Sequence, residues 1–223
     1  MSKGRIIKWA FWLVLLVVFL VFLIRVAVFE HNYYNEKEGS ERAVAEQTAE
    51  EPELDETVPT EAEVAEYTVA PDRPRYLSIA KLGISKARVL PMGVNTKGEL
   101  DTPRNIFDVG WYEGSGRPGQ GGTMIIDGHN GGPHVSGVFK KTPDLVEGDI
   151  IEIERGDGEI FKYSVVENKA VALDDSNKYM GVAARSPESG RESLTLITCT
   201  GEWSDQQETY LSRQFTRAVL VED

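Results

Sequence analysis

Hydrophobic and polar positions fall into three regimes along this chain. From Ile6 to Phe29 every position except Lys8 and Arg25 is essentially apolar, and the run from Trp9 to Ile24 is unbroken. A helix of that length can cross a hydrocarbon core of about 30 Å, with the flanking charges snorkelling to its interfaces. From Glu30 to about Ala70 large apolar residues become scarce. Beyond Tyr76, short stretches of apolar and β-branched residues recur, bounded by glycine and proline. These predict strands over 75–79, 87–90, 123–127, 149–154, 160–166, 193–199 and 214–221, with a further one at 169–173. Arg155-Gly156-Asp157-Gly158 carries a hairpin signal between two of them. Asp174 to Arg185 is polar with a small apolar patch and predicts a short helix. Between Pro103 and Gly122 the closely spaced Gly and Pro residues read as turns. Many short strands joined by such turns add up to an all-β barrel or sandwich.

Charge sharpens these boundaries. The net charge of −12 is concentrated in one segment. Residues 30–66 hold 13 acidic and two basic side chains, whereas the N-terminal segment to Phe29 carries Lys3, Arg5, Lys8 and Arg25 and no acid. The remaining 18 basic and 23 acidic residues leave the folded part only mildly acidic. It shows neither a basic patch nor a nucleic-acid module, which sets nucleic-acid binding aside. The N-terminal cations place residues 1–8 in the cytoplasm and the rest of the chain outside. A cleaved signal peptide is the rival, but its apolar region would be about 7–15 residues, and Arg25-Val26-Ala27 is a poor cleavage site. The expected organisation is a single-pass membrane anchor over 9–29, a disordered acidic spacer over 30–72 and a globular domain over 73–223. The spacer is expected to be extended, because it cannot bury enough surface to offset its ordering entropy.

Export changes the meaning of the only cysteine, Cys199. A lone thiol is usually a small buried hydrophobe. Outside the cell, an unpaired cysteine reads instead as a candidate reactive thiol. Cys199 ends the predicted strand Thr195-Leu196-Ile197-Thr198-Cys199, and Gly201 is expected to open the exit loop. A thiolate nucleophile needs a proton partner, and histidine is the usual one. Of three histidines, His31 lies in the spacer, His134 in a loop, and His129 directly after a predicted strand. A zinc site from His129, His134 and Cys199 lacks an evident fourth ligand. An oxyanion donor is also required, and Arg213 or Arg217 could supply it. Their even spacing puts both on one face of a strand, so spacing alone does not choose between them.

Together these residues resemble the sortases, membrane-anchored cysteine transpeptidases mainly of Gram-positive bacteria. The family signature TLxTC is matched by Thr195 to Cys199, and the family histidine by His129 in Asp127-Gly128-His129-Asn130. The resemblance runs from Tyr76 to Val221. Gly110-Trp111-Tyr112, Pro118-Gly119, Val138-Phe139 and Gly148-Asp149 look most like class F, with classes D and E close behind. L,D-transpeptidases would show His-Gly-Cys, and papain-like proteases place Cys before His.

The resemblance implies a closed eight-stranded β-barrel with short helices. It implies that Cys199 attacks an LPxTG-like sorting signal near the C-terminus of a secreted protein. His129 would move the protons, Arg213 would stabilise the oxyanion, and Ile197 and Thr198 would touch substrate. An amine of peptidoglycan would then release the product. The family arginine is followed after three or four apolar residues by a small one, which favours Arg213 with Ala218. Gln214 and Thr216 depart from that apolar pattern and keep Arg217 as the alternative. No cofactor or metal is implied, and Asp174-Asp175 reads as a solvated turn. A pilin-polymerising role would bring an Asp-Pro-aromatic lid, and Pro71-Asp72-Arg73-Pro74 lacks the aromatic. A non-catalytic binding module on the same barrel is the reading from a different class.

Overall fold

The structure, a computed structural model, describes Arg25 and residues 54–95, 98 and 100–222. The expected membrane span over 9–29, Arg25 apart, and most of the spacer lie outside the described residues. No helix among the described residues is long and apolar enough to cross a membrane.

Eight strands close a barrel. They are β1 (Pro74–Ile79), β2 (Ile84–Met92), β3 (Val109–Tyr112), β4 (Thr123–Gly128), β5 (Ile150–Arg155), β6 (Ile160–Ala172), β7 (Ser193–Ser204) and β8 (Thr209–Leu220). Around the barrel their order is β1-β2-β3-β4-β7-β8-β6-β5. The pairs β2–β3 and β4–β7 are parallel and all others antiparallel. Among residues 54–222 two α-helices accompany the sheet, α1 (Glu61–Glu66) and α2 (Leu173–Ala183).

Alternation along the strands sorts the apolar residues into two layers. Every strand sends side chains into one cluster, among them Leu77, Val89, Trp111, Ile126, Ile153, Tyr163, Leu196 and Ala218, and this cluster fills the interior. A smaller cluster of Ile125, Val171, Ala183, Ile197 and Phe215 lies on the outer face, where Tyr179 and Met180 of α2 and Leu100 and Tyr112 pack on it. Strands β4 and β7 are therefore covered on both faces through Ile126 and Thr198. Such double burial explains why they read as continuous apolar runs rather than alternating ones.

Several expectations are corrected by the structure. The strands predicted at 160–166 and 169–173 are one strand, β6, bent by a register shift between Val165 and Glu167. Strand β3 went unread because Gly110 makes it look like turn sequence. A Cβ at Gly110 would lie 2.4 Å from Oδ1 of Asp127 and 2.7 Å from Cγ of Met92, so any other residue at that strand position would have to displace both side chains. The last hairpin runs well past Cys199. Gly201, at φ +85°, sits in a bulge within β7 rather than in a loop. Asp174 and Asp175 occupy the first turn of α2, where carboxylates favour the helix dipole, instead of a free turn.

The largest correction concerns residues 54–72, expected to be disordered spacer. Helix α1 opens on a capping box, with Thr60 Oγ1 accepting from Glu63 N at 3.2 Å and Glu63 Oε2 accepting from Thr60 N at 2.7 Å. Tyr67 donates its hydroxyl to the Val89 carbonyl at 2.6 Å, Arg75 Nε donates to the Tyr67 carbonyl at 2.8 Å, and Tyr76 donates to the Val64 carbonyl. Polar contacts rather than apolar burial hold this segment, so its composition hid it.

Candidate active site

The nucleophile strand is built from both faces at once. Leu196 enters the barrel interior and Ile197 the outer cluster. Thr195 is fully buried and donates its hydroxyl to the Ala183 carbonyl at 2.8 Å, tying β7 to the end of α2. Thr198 is 5% exposed and donates to the Gly128 carbonyl at 2.7 Å. That bond joins β7 to the end of β4, one residue before His129. Thr198 alternates to the face opposite Cys199, and Ile197 is largely covered. Both residues, expected to touch substrate, are largely covered in this structure.

Cys199 continues the outward series of Thr195 and Ile197, and it remains half-buried as a free thiol. Its register partner on β8 is Arg213. On the other side, β4 and β7 run parallel with Asp127 opposite Ile197. Two residues further along both chains stand His129 and Cys199, at the ends of these adjacent strands. The tertiary fold thus gathers residues 129, 199 and 213 at one end of three adjacent strands.

Each group has a defined setting. The ring Nε2 of His129 lies 2.7 Å from the Pro103 carbonyl, which can only accept, so Nε2 carries the hydrogen. Arg213 donates from Nη1 to the carbonyls of Tyr210 (2.8 Å) and Ser212 (3.1 Å), and from Nη2 to Thr209 Oγ1 (3.1 Å). Three bonds leave a guanidinium with donors to spare. Burial pushes the Cys199 thiol above its ordinary value, the Arg213 charge pulls it down, and Asp127 pushes it up again. The Asp127 carboxyl is itself raised to about 7 by burial, against the lowering hydrogen bond from the Thr102 side chain. Asp127 went unnoticed in the sequence because only the fold sets it against Gly110 and Thr102.

Arg217 has a different occupation. It is 7% exposed and pairs with Glu167 Oε2 at 2.5 Å. Its Nη2 donates to the carbonyls of Val182 (3.3 Å) and Arg185 (3.0 Å) at the end of α2. Its register partner is Thr195, four residues from Cys199, or about 13 Å along the strand. Gln214 and Thr216, the polar departures in this strand, both donate to Asn168 Oδ1 at 2.7 Å. Asn168 in turn donates to the carbonyls of Thr142, Pro143 and Leu145. The departures therefore belong to a satisfied polar network inside the barrel. Among the described residues, no group of three His, Cys, Asp or Glu side chains could hold a metal ion.

Residues 77–221 match the family model of the sortase domain. No curated protein matches the chain. Among solved structures, it is similar to sortase C of Streptococcus pneumoniae, with 19% identity, a TM-score of 0.50 and 76% of each chain covered. It is also similar to a sortase D5 transpeptidase of Clostridium perfringens, with 21% identity, a TM-score of 0.48, and 74% of this chain and 90% of that chain covered. For a lid mutant of sortase A from Corynebacterium diphtheriae the identity is 26% and the TM-score 0.47, over 69% of this chain and 74% of that one. The family-model match spans well over half of the sequence, and the chain belongs to the sortase family of transpeptidases.

Proposed function

We propose that this protein is a membrane-anchored cysteine transpeptidase of the class F type. In this reading it cleaves an LPxTG-like sorting signal of secreted proteins and joins them to an amine of the cell wall. The observation that carries the reading is the cross-strand pairing of Cys199 with Arg213, with His129 two residues past the parallel pair Asp127 and Ile197. The anchor over 9–29 rests on its apolar run and the cations before it.

Cys199 Sγ attacks the carbonyl carbon of the signal's threonine. The oxyanion that forms is stabilised by the spare donors of Arg213. With Nε2 held by Pro103, Nδ1 of His129 is the nitrogen available to hand a proton to the departing glycine amine. The C–N bond breaks and a thioester remains on Cys199. The acceptor amine then attacks the thioester and gives its proton to His129. The C–S bond breaks, a new amide forms, and the thiolate is regenerated.

Arg213 is favoured over Arg217 for the oxyanion, because Arg217 is buried, with both terminal nitrogens bonded to Glu167 and the end of α2. Single-protein anchoring is favoured over pilin polymerisation, because Asp72 pairs with Arg117 and no aromatic residue follows it. A non-catalytic binding module would have no use for three such groups at one site.

The test is acyl transfer from a quenched Leu-Pro-x-Thr-Gly peptide library to a soluble amine, followed by mass spectrometry of the enzyme. The expected results are a thioester adduct on Cys199 and no turnover by Cys199→Ala. Turnover that survives this substitution would overturn the reading.

A further inference from the structure

His129 sits between two irregular segments, and neither is a strand of the sheet. Before it in the fold lies the loop that carries Pro103, the partner of its ring. After it comes a tight turn closed by Gly132 N donating to Val135 O (2.9 Å) and Gly137 N to Asn130 O (2.8 Å). Phe139 N donates to the His129 carbonyl at 2.9 Å, so this turn also carries the His129 backbone. A histidine that must exchange protons with a thiol and a substrate needs both segments fixed, because small misplacements cost large factors in rate.

Three residues upstream of the barrel hold both. Asp55 N donates to the Arg104 carbonyl at 2.9 Å, and Ile106 N donates to the Asp55 carbonyl at 3.0 Å, forming a parallel bridge to Asn105. Asn105 Nδ2 adds bonds to Asp55 Oδ2 (3.0 Å) and the Thr57 carbonyl (2.8 Å), and Thr57 returns its N–H and hydroxyl to Asp55 Oδ1. On the other side, Glu56 Oε1 accepts from the backbone N–H groups of His134 (2.8 Å) and Val135 (3.1 Å), and Oε2 lies 3.0 Å from His134 Nδ1. The turn packs directly on this carboxylate, since a Cβ at Gly132 would fall 2.2 Å from Glu56 Oε1.

We propose that Asp55 and Glu56 are positioning residues for His129, clamping the Pro103 loop and the Gly131–Ser136 turn into one unit around the imidazole. The proposal rests on the transpeptidase reading for its kinetic consequence, but not for its structural one. Neighbouring residues of one segment reach in opposite directions, one to each loop, as alternating side chains of an extended chain do. These hydrogen bonds supplement the direct link between the two segments, in which Val138 N donates to the Ile106 carbonyl at 2.9 Å, and the bond from Thr102 to Asp127 of β4. In the sequence, Asp55 and Glu56 look like two more solvated charges of an acidic tail.

The test uses the full chain in detergent. In Asp55→Ala/Glu56→Ala, kcat for peptide cleavage is expected to fall on the order of 10-fold, with KM within about 2-fold. Glu56→Gln keeps an acceptor oxygen for His134 and Val135 and is expected to retain nearly full kcat. The ring nitrogen resonances of His129, in protein labelled at histidine and assigned with His31→Gln and His134→Gln, should shift or broaden in the double Ala variant only. The melting temperature should move by no more than a few degrees, since most of these bonds lie at the surface and Asn105 keeps its bond to the Thr57 carbonyl. An unmoved His129 resonance, an unchanged kcat, or a loss that merely tracks a lowered melting temperature would overturn the clamp. If the wild-type chain cleaves no peptide, the transpeptidase reading fails, and the His129 resonance still decides the clamp.

Discussion

At the scale of residues, the reactivity of Cys199 is a balance between burial and two neighbouring charges of opposite sign. Burial disfavours the thiolate, Arg213 favours it, and an ionised Asp127 disfavours it. Arg213→Ala is therefore expected to slow alkylation of Cys199 by iodoacetamide at fixed pH. Asp127→Asn is expected to speed it. The Asp127 carboxyl loses its proton as the pH rises through about 7, so the gain from Asp127→Asn should be small at pH 6 and grow towards pH 8. Alkylation rates measured across that range check both signs, and an Asp127→Asn effect independent of pH would sink this account. The same balance predicts a bell-shaped pH–rate profile, because turnover needs thiolate and imidazolium together.

Among the elements, β7, β8 and α2 make one structural unit beneath the site. Arg217 places its cation at the C-terminal carbonyls of α2, where the helix dipole favours it, and neutralises Glu167 on β6. Burial raises the Glu167 carboxyl, but its bonds from Arg217 and Tyr179 outweigh that and hold it below its ordinary value. Arg217→Ala is expected to cost about 2 kcal/mol, below the roughly 3–5 kcal/mol of fully buried pairs, because Glu167 is a third exposed. A carboxyl depressed in the folded state stabilises above its unfolded pKa, and that stability is lost as the pH falls through the folded value. Acid should therefore destabilise the wild type more steeply than Glu167→Gln below about pH 4.5. Urea titrations at pH 7 and pH 3.5 measure both effects.

Across the whole described domain, the barrel interior is apolar through most of its length and turns polar under the active site. Asn168, Gln214 and Thr216 satisfy one another there, and Thr198 ties β7 to β4. The domain also begins earlier than its hydrophobic pattern suggests. A chain shortened to 73–223 loses the bonds that Val64, Tyr67 and the Asp55–Thr57 segment make to the barrel and its loops. It is expected to melt several degrees below a chain shortened to 54–223, on the scale of about 2–4 °C per kcal/mol. Equal melting temperatures would mean that residues 54–72 add nothing to the fold.

The strands, the nucleophile motif and the histidine that follows β4 were legible in the sequence, because each is a local pattern. Periodic apolar residues, a TLxTC run and a histidine among glycines need no knowledge of partners. The strand count even came out right through two opposite errors, a missed β3 and a β6 read as two. Strand spacing alone did not separate Arg213 from Arg217, which the family resemblance ordered in favour of Arg213, since two residues of equal parity on one strand differ only in what lies across from them. The register set Cys199 opposite one and Thr195 opposite the other. Asp127, Asp55 and Glu56 were illegible for the same reason. A carboxylate gains its meaning from the groups packed on it, and those groups come from 25 to 80 residues away along the chain, brought there by the closed sheet.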